Sequence, residues 1–185
     1  MQFLHTEKII GSSPIASTKL CVMPPVGLII TLVTAQPTYA MIHLITSDTD
    51  RYFNFLTEDP VRPTIPTLSR IGINRDIFVL RDENGEAQAI TCVSYQDSIP
   101  TTEQELFAQN AEPNIAVFYT IWSYAPGAGR TLIFNAVSHI KENMPNIKRF
   151  VTLSPPTTMA RRFHLKNGAL VFRENVETVN YEYIA

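Results

Sequence analysis

Two short segments near the end of the chain carry side chains that could share a proton. The stretch "VTLSPPTT", residues 151–158, places Ser154 after a β-rich apolar run and directly before two prolines. The stretch "RRFHLKNGALVF", residues 161–172, places His164 between Phe163 and Leu165, just ahead of an Asn-Gly pair. Histidine is the side chain whose ordinary pKa suits proton transfer near neutral pH. Each residue also has a plainer explanation. A serine before proline is a common helix N-cap, and histidines are often ordinary, partly buried residues. No G-x-S-x-G elbow surrounds Ser154 and no acidic residue has a recognisable spacing for a Ser-His-Asp hydrolase, so nucleophilic hydrolysis is disfavoured.

A third segment, "YAPGAGRT" at residues 124–131, joins an apolar run to a long helical pattern. Gly127 and Gly129 allow a close backbone approach. The amides of Gly127, Ala128, Gly129, Arg130 and Thr131 would start the helix, where unpaired N–H groups favour an anion such as a pyrophosphate. A plain tight turn accounts for two glycines equally well. The longer Rossmann glycine pattern and the P-loop lysine are both missing.

These segments need elements to hold them. "NIAVFYTIWSYA" reads as a strand, continuous enough in apolar and aromatic residues to lie centrally and be buried on both faces. "GAGRTLIFNAVSHIKENMP" follows as the longest helix, with Leu132, Ile133, Ala136, Val137 and Ile140 on its buried stripe and Pro145 as its stop. "IKRFVTLS" is a second strand. "PPTTMARRFHLKN" is a helix with proline in its first turn and Gly168 past its end. "ALVFRENVETVNYEYIA" supplies one or two last strands. Upstream, Ile77–Leu80 and Ala89–Tyr95 flank Asn84-Gly85 as a hairpin. Capped helices are expected in "DTDRYFNFLTED" and "TTEQELFAQ", and a helical turn near Leu68–Ile71 after the proline-rich connection. The order predicts one α/β domain, a mixed sheet flanked by helices, over residues 41–185.

Residues 1–40 read differently. Val26–Ala35 is an apolar run too short to span a bilayer. It matches either a signal-peptide core, with cleavage before Met41 and export, or an upstream extension with Met41 as the natural start. The extension is the preferred expectation, with the segment outside the fold and the protein cytoplasmic. The 185 residues carry 45% hydrophobic and 17% charged residues and a net charge of -2, which gives no electrostatic case for nucleic acid or an anionic membrane. Cys21 and Cys92 have neither metal-ligand nor disulfide spacing, so no metal is expected and Cys92 reads as a buried thiol.

The strand order, the glycine turn before the long helix and the "RRFHLKNGA" segment resemble the GNAT acyl-CoA fold. The resemblance implies that the turn binds the pyrophosphate of coenzyme A, with Tyr124 at the first position of the usual Q/R-x-x-G-x-G/A pattern. More specifically, "IAVFYTI", "FVTLSP", "FHLKNGA" and "VNYEY" resemble, in order, segments of the malonyl-CoA decarboxylase catalytic domain. That likeness covers roughly residues 75–183. It implies that Ser154 and His164 are catalytic and that Tyr183 lines the site. Thr120 stands where the family has a serine, and Gly127 where it has a glutamate. A helical insertion between the serine and histidine segments has no counterpart here.

The resemblance implies a coenzyme A thioester as substrate, with no permanently bound cofactor. Three activities are open: decarboxylation of malonyl-CoA or a related acyl-CoA, acetyl transfer, and acyl-CoA binding without catalysis. Acetyltransferases of this fold often carry F-Y-x-K-x-G-F where this chain has Phe163-His164-Leu165-Lys166-Asn167-Gly168-Ala169. Histidine at the tyrosine's place favours decarboxylation. Ser154 and Thr120 are then the expected positioning donors, and His164 the acid or carboxylate partner.

Overall fold

The structure is a computed structural model and describes residues 41–184. The N-terminal segment, including Cys21 and the apolar run, lies outside the described residues. Seven strands form one mixed sheet: β1 (Met41–Ile45), β2 (Arg75–Arg81), β3 (Ala87–Gln96), β4 (Ile115–Ser123), β5 (Arg149–Thr152), β6 (Ala169–Glu174) and β7 (Val179–Tyr183). Their spatial order is β1-β2-β3-β4-β5-β7-β6, so β4 is central as its continuous apolar run requires. All neighbours are antiparallel except β4 and β5, joined by helix α1 (Ala128–Asn143). Helix α2 (Thr158–Lys166) links β5 to β6.

Side chains alternate across the sheet to build two apolar layers. Phe78, Leu80, Ala116 and Phe118 face one layer, completed by Leu132, Ile133, Ala136 and Ile140 of α1. Ile77, Val79, Ile115 and Val117 face the other, where Tyr52, Leu56 and Ile65 cover them. Full burial of each large aliphatic contributes about 2 kcal/mol.

The hairpin turns at Asn84-Gly85, where Gly85 takes φ +78° and the Asp82 carbonyl accepts from its amide. Cys92 is a buried free thiol, and burial pushes its pKa up to about 11. No described helix is long and apolar enough to cross a membrane.

Several local expectations are corrected. Strand β1 was not foreseen: "MIHLI" is short and lacks its own turn signal, and it gains its partners by pairing with Arg81–Ile77 of β2. The segment after Asp48 forms a single 3-10 element, Phe53–Glu58, because Pro60 cuts the helical pattern short. "TTEQELFAQ" likewise gives only Gln104–Phe107, with the Glu105 carboxylate folded back onto the Thr101 amide at 2.8 Å. Helix α2 begins after both prolines, not within them. Its N-cap is Thr157, whose hydroxyl accepts from the Ala160 amide, so Ser154 is free of any capping role.

Candidate active site

The parallel pairing of β4 with β5 runs from Ile115 to Phe118 against Arg149 to Thr152, and its last bond joins the Leu153 amide to the Phe118 carbonyl at 3.0 Å. Beyond that point the strands part. One cause is a bulge: Cys92 and Val93 of β3 face Thr120 and Phe118, leaving Tyr119 as an extra residue that bends β4. On the other side, Ser154 pairs with Val179 of β7 through two backbone bonds of 2.8 and 2.9 Å. The split opens a cleft of about 600 Å³ lined by both strand ends, the start of α1 and one face of α2.

Ser154 and His164 meet in this cleft. The serine Oγ lies 2.9 Å from His164 Nε2 and 2.9 Å from Thr152 Oγ1. The other ring nitrogen, Nδ1, lies 2.8 Å from Tyr183 Oη. The imidazole also stacks on Tyr181, with ring centroids 4.8 Å apart. The local fold explains the meeting. Gly168, at φ +86°, ends α2 one turn after His164, and the chain returns as β6 and β7 to bring Tyr181 and Tyr183 beneath the helix.

Burial sets the protonation. His164 is 4% exposed, and desolvation pulls its pKa down to about 4, so the ring is neutral at pH 7. Burial likewise pushes the Tyr183 phenol well above its ordinary range. The result is a buried, uncharged chain, Thr152–Ser154–His164–Tyr183, whose members pass hydrogen bonds to one another. A neutral imidazole carries one proton and one lone pair, so His164 donates through one ring nitrogen and accepts through the other, between Ser154 and Tyr183.

Thr120 is near but turned away from this chain. Its hydroxyl donates to Asp59 Oδ1 at 2.8 Å, and Asp59 Oδ2 in turn accepts from Arg70 Nη1 at 2.5 Å, with both charged side chains fully buried. The glycine turn starts helix α1. Gly127 is the N-cap of α1 at φ +81°. The Ala128 and Thr131 amides reach the carbonyls of Ala125 and Gly127, and those of Gly129 and Arg130 have no backbone acceptor among the described residues. Gly129 borders the cleft, and a Cβ there would meet the Phe163 ring at 3.5 Å. Arg130 lies over the Phe134 ring, 5.1 Å from its centroid. Tyr124 donates its hydroxyl to Glu58 at 2.7 Å.

Sequence reasoning missed Thr152, Tyr181, Asp59 and Arg70. Thr152 was findable, since it lies two residues before Ser154 on one strand and so shares its face. Asp59 follows the 3-10 element Phe53–Glu58 and Arg70 ends the 3-10 turn Thr67–Arg70, on either side of the proline-rich connection, and nothing in the sequence pairs them. No cluster of His, Cys, Asp and Glu able to hold a metal occurs among the described residues.

Neither a protein-family model nor a curated protein sequence matches the chain. Solved structures do. A malonyl-CoA decarboxylase from Agrobacterium vitis superposes with a TM-score of 0.66 at 18% identity, over 78% of this chain and 60% of that one. The GNAT domain of S. lividans PAT gives 0.54 at 17% identity, over 78% of this chain and 89% of that one. A Bacillus subtilis acetyltransferase in complex with CoA gives 0.54 at 10% identity, over 78% and 97% of the two chains. The chain therefore spans about 60% of the length of the decarboxylase it matches. At these identities the likeness is one of fold, and the fold is GNAT-like.

Proposed function

We propose that the cleft binds a coenzyme A thioester and decarboxylates malonyl-CoA or a closely related acyl-CoA. One observation carries the reading: Ser154 and His164 are hydrogen-bonded in the lining of the cleft where β4 and β5 part, and Tyr183, outside that lining, holds the other nitrogen of the buried, neutral His164 ring. The glycine turn, with the free amides of Gly129 and Arg130, would take the pyrophosphate with help from the Arg130 guanidinium and the helix dipole. Gly127, Ala128 and Thr131 complete that turn. The pantetheine arm would then run through the strand split toward Ser154.

Loss of carbon dioxide breaks the bond between the carboxylate carbon and the α-carbon. The electron pair moves into the thioester and leaves an enolate. Ser154, backed by His164, turns its hydroxyl proton from Thr152 Oγ1 to the developing oxyanion, and one such donor is worth about 3 kcal/mol. A proton passed along the Tyr183–His164–Ser154 chain then reaches the α-carbon and gives the acetyl thioester. Solvent replaces that proton, so the reaction consumes one proton for each carbon dioxide released.

The walls favour this direction. Among the described residues lining the cleft there is no Lys, Arg, Asp or Glu. A substrate carboxylate held there has no cation to stabilise it, and turning it into neutral carbon dioxide relieves its poor solvation. Acetyl transfer to an amine would need a group to take the ammonium proton, and the lining offers only a histidine of depressed basicity. Incubation with malonyl-CoA and with acetyl-CoA plus amines, followed by mass spectrometry, separates the readings. Acetyl-CoA formed from malonyl-CoA supports decarboxylation. Acetylated amine without loss of carbon dioxide would replace it with transfer.

A further inference from the structure

Where β4 and β5 separate, the next carbonyl of each strand points at one side chain. Arg62 donates from Nε to the Tyr119 carbonyl and from Nη2 to the Leu153 carbonyl, each at 2.8 Å. Its Nη1 donates to the Glu103 carboxylate. The loop that carries Arg62 is itself fixed. Asp59 Oδ1 accepts from the Val61 and Arg62 amides at 2.8 and 3.1 Å, and Arg70 Nη2 donates to the Arg62 carbonyl at 2.8 Å. Pro60 and Val61 line the cleft, while the Arg62 guanidinium is buried below it.

Buried carbonyls need donors. Paired strands satisfy one another, whereas strands that part leave these groups orphaned. A planar guanidinium presents two donors at a fixed spacing and answers both at once. Tyr119 directly precedes Thr120, and Leu153 directly precedes Ser154. We infer that Arg62 is a positioning residue: it braces the open split between β4 and β5 and fixes the backbone from which Ser154 meets His164. It does not touch substrate, since its three nitrogens already face the two carbonyls and Glu103. The inference rests on the proposed decarboxylation for its kinetic readout only.

The test compares Arg62→Lys with Glu103→Gln. Lysine keeps the charge but, as a single point donor, cannot span both carbonyls; Glu103→Gln removes the ion partner and leaves both carbonyl bonds. In Arg62→Lys, kcat for malonyl-CoA should fall about 100-fold, the scale of a small misplacement, with KM and coenzyme A affinity near wild type. Glu103→Gln should keep kcat near wild type. The ¹⁵N signals of the His164 imidazole, which need no substrate, should shift in Arg62→Lys and stay put in Glu103→Gln. Wild-type kcat with unshifted ring signals in Arg62→Lys would overturn the inference, as would equal losses in both variants. Should the wild-type chain fail to decarboxylate malonyl-CoA, the functional reading falls and the ring signals alone decide the role of Arg62. Arg62→Gln, which also reaches only one carbonyl, supplies the same readings if the lysine variant does not fold.

Discussion

Tyr183 Oη stands 2.8 Å from Nδ1 of His164, while Ser154 occupies the other ring nitrogen. An imidazole held at both ends is oriented, and its orientation depends on β7 arriving beneath α2. The histidine is therefore buried as a structural one would be, yet it borders the cleft as a catalytic one must.

His164→Asn separates the two roles. The variant loses both ring bonds, each worth about 1 kcal/mol, and much of the contact with Tyr181. Its stability in urea should fall by about 2 kcal/mol. Turnover of malonyl-CoA in the folded fraction should fall by a factor of about 10² to 10⁴, the range for a lost acid–base group. Normal specific activity in the folded fraction would make His164 purely structural.

The depressed His164 pKa also fixes a pH dependence. The folded ring resists protonation until about pH 4, whereas an unfolded histidine takes up a proton near 6.5. The unfolded state therefore binds more protons between those values. Stability is full above about pH 6.5 and is lost as pH falls toward 4, by about 3 kcal/mol in total. Denaturation curves across that window should show this slope for wild type and a shallower one for His164→Asn. The acid limb of kcat/KM should lie near pH 4 to 5, because the neutral ring is the working form. An acid limb at pH 6.5 would mean that the free enzyme exposes the ring.

The glycine turn makes a graded prediction. A Cβ at Gly129 would meet Phe163 at 3.5 Å and Ile121 at 3.8 Å, which is ordinary contact. Gly129→Ala should bind coenzyme A nearly as well as wild type. The branches of Gly129→Val add bulk beside the free amides and should weaken binding by more than tenfold, about 1.4 kcal/mol, in calorimetry. Unchanged affinity in the valine variant would remove the pyrophosphate site from this turn.

Legibility in the sequence followed the kind of signal each part left. The hairpin at Asn84-Gly85, the central strand, the long helix and the αL stop at Gly168 all rest on local residue choices, and the structure has each of them. Ser154 and His164 could be nominated because their segments resembled known ones, but their contact depends on Thr157, not Ser154, capping α2. The Asp59–Arg70–Thr120 network joins a proline-rich loop to the middle of the sheet. Contacts between an irregular loop and a strand leave no period to read, so this half of the site appears only in three dimensions.

That network makes the last prediction. Thr120 was expected to offer its hydroxyl to the substrate, and in the structure its proton is directed at Asp59. Asp59 also receives Arg70 and two amides of its own loop, so its charge is balanced only as long as all these partners remain. Asp59→Asn strips the counter-charge from a fully buried guanidinium and should cost about 3 to 5 kcal/mol in urea denaturation. Thr120→Val removes one bond to a charged acceptor and should cost about 1.5 to 3 kcal/mol. Thr120→Ser restores the bond and should recover most of that loss. If Thr120 acts only through Asp59, the valine variant should lose less than about tenfold in kcat/KM, below the 10² to 10³ expected of a direct oxyanion donor. A loss of that larger size in Thr120→Val, with stability unchanged, would instead place the hydroxyl on the substrate.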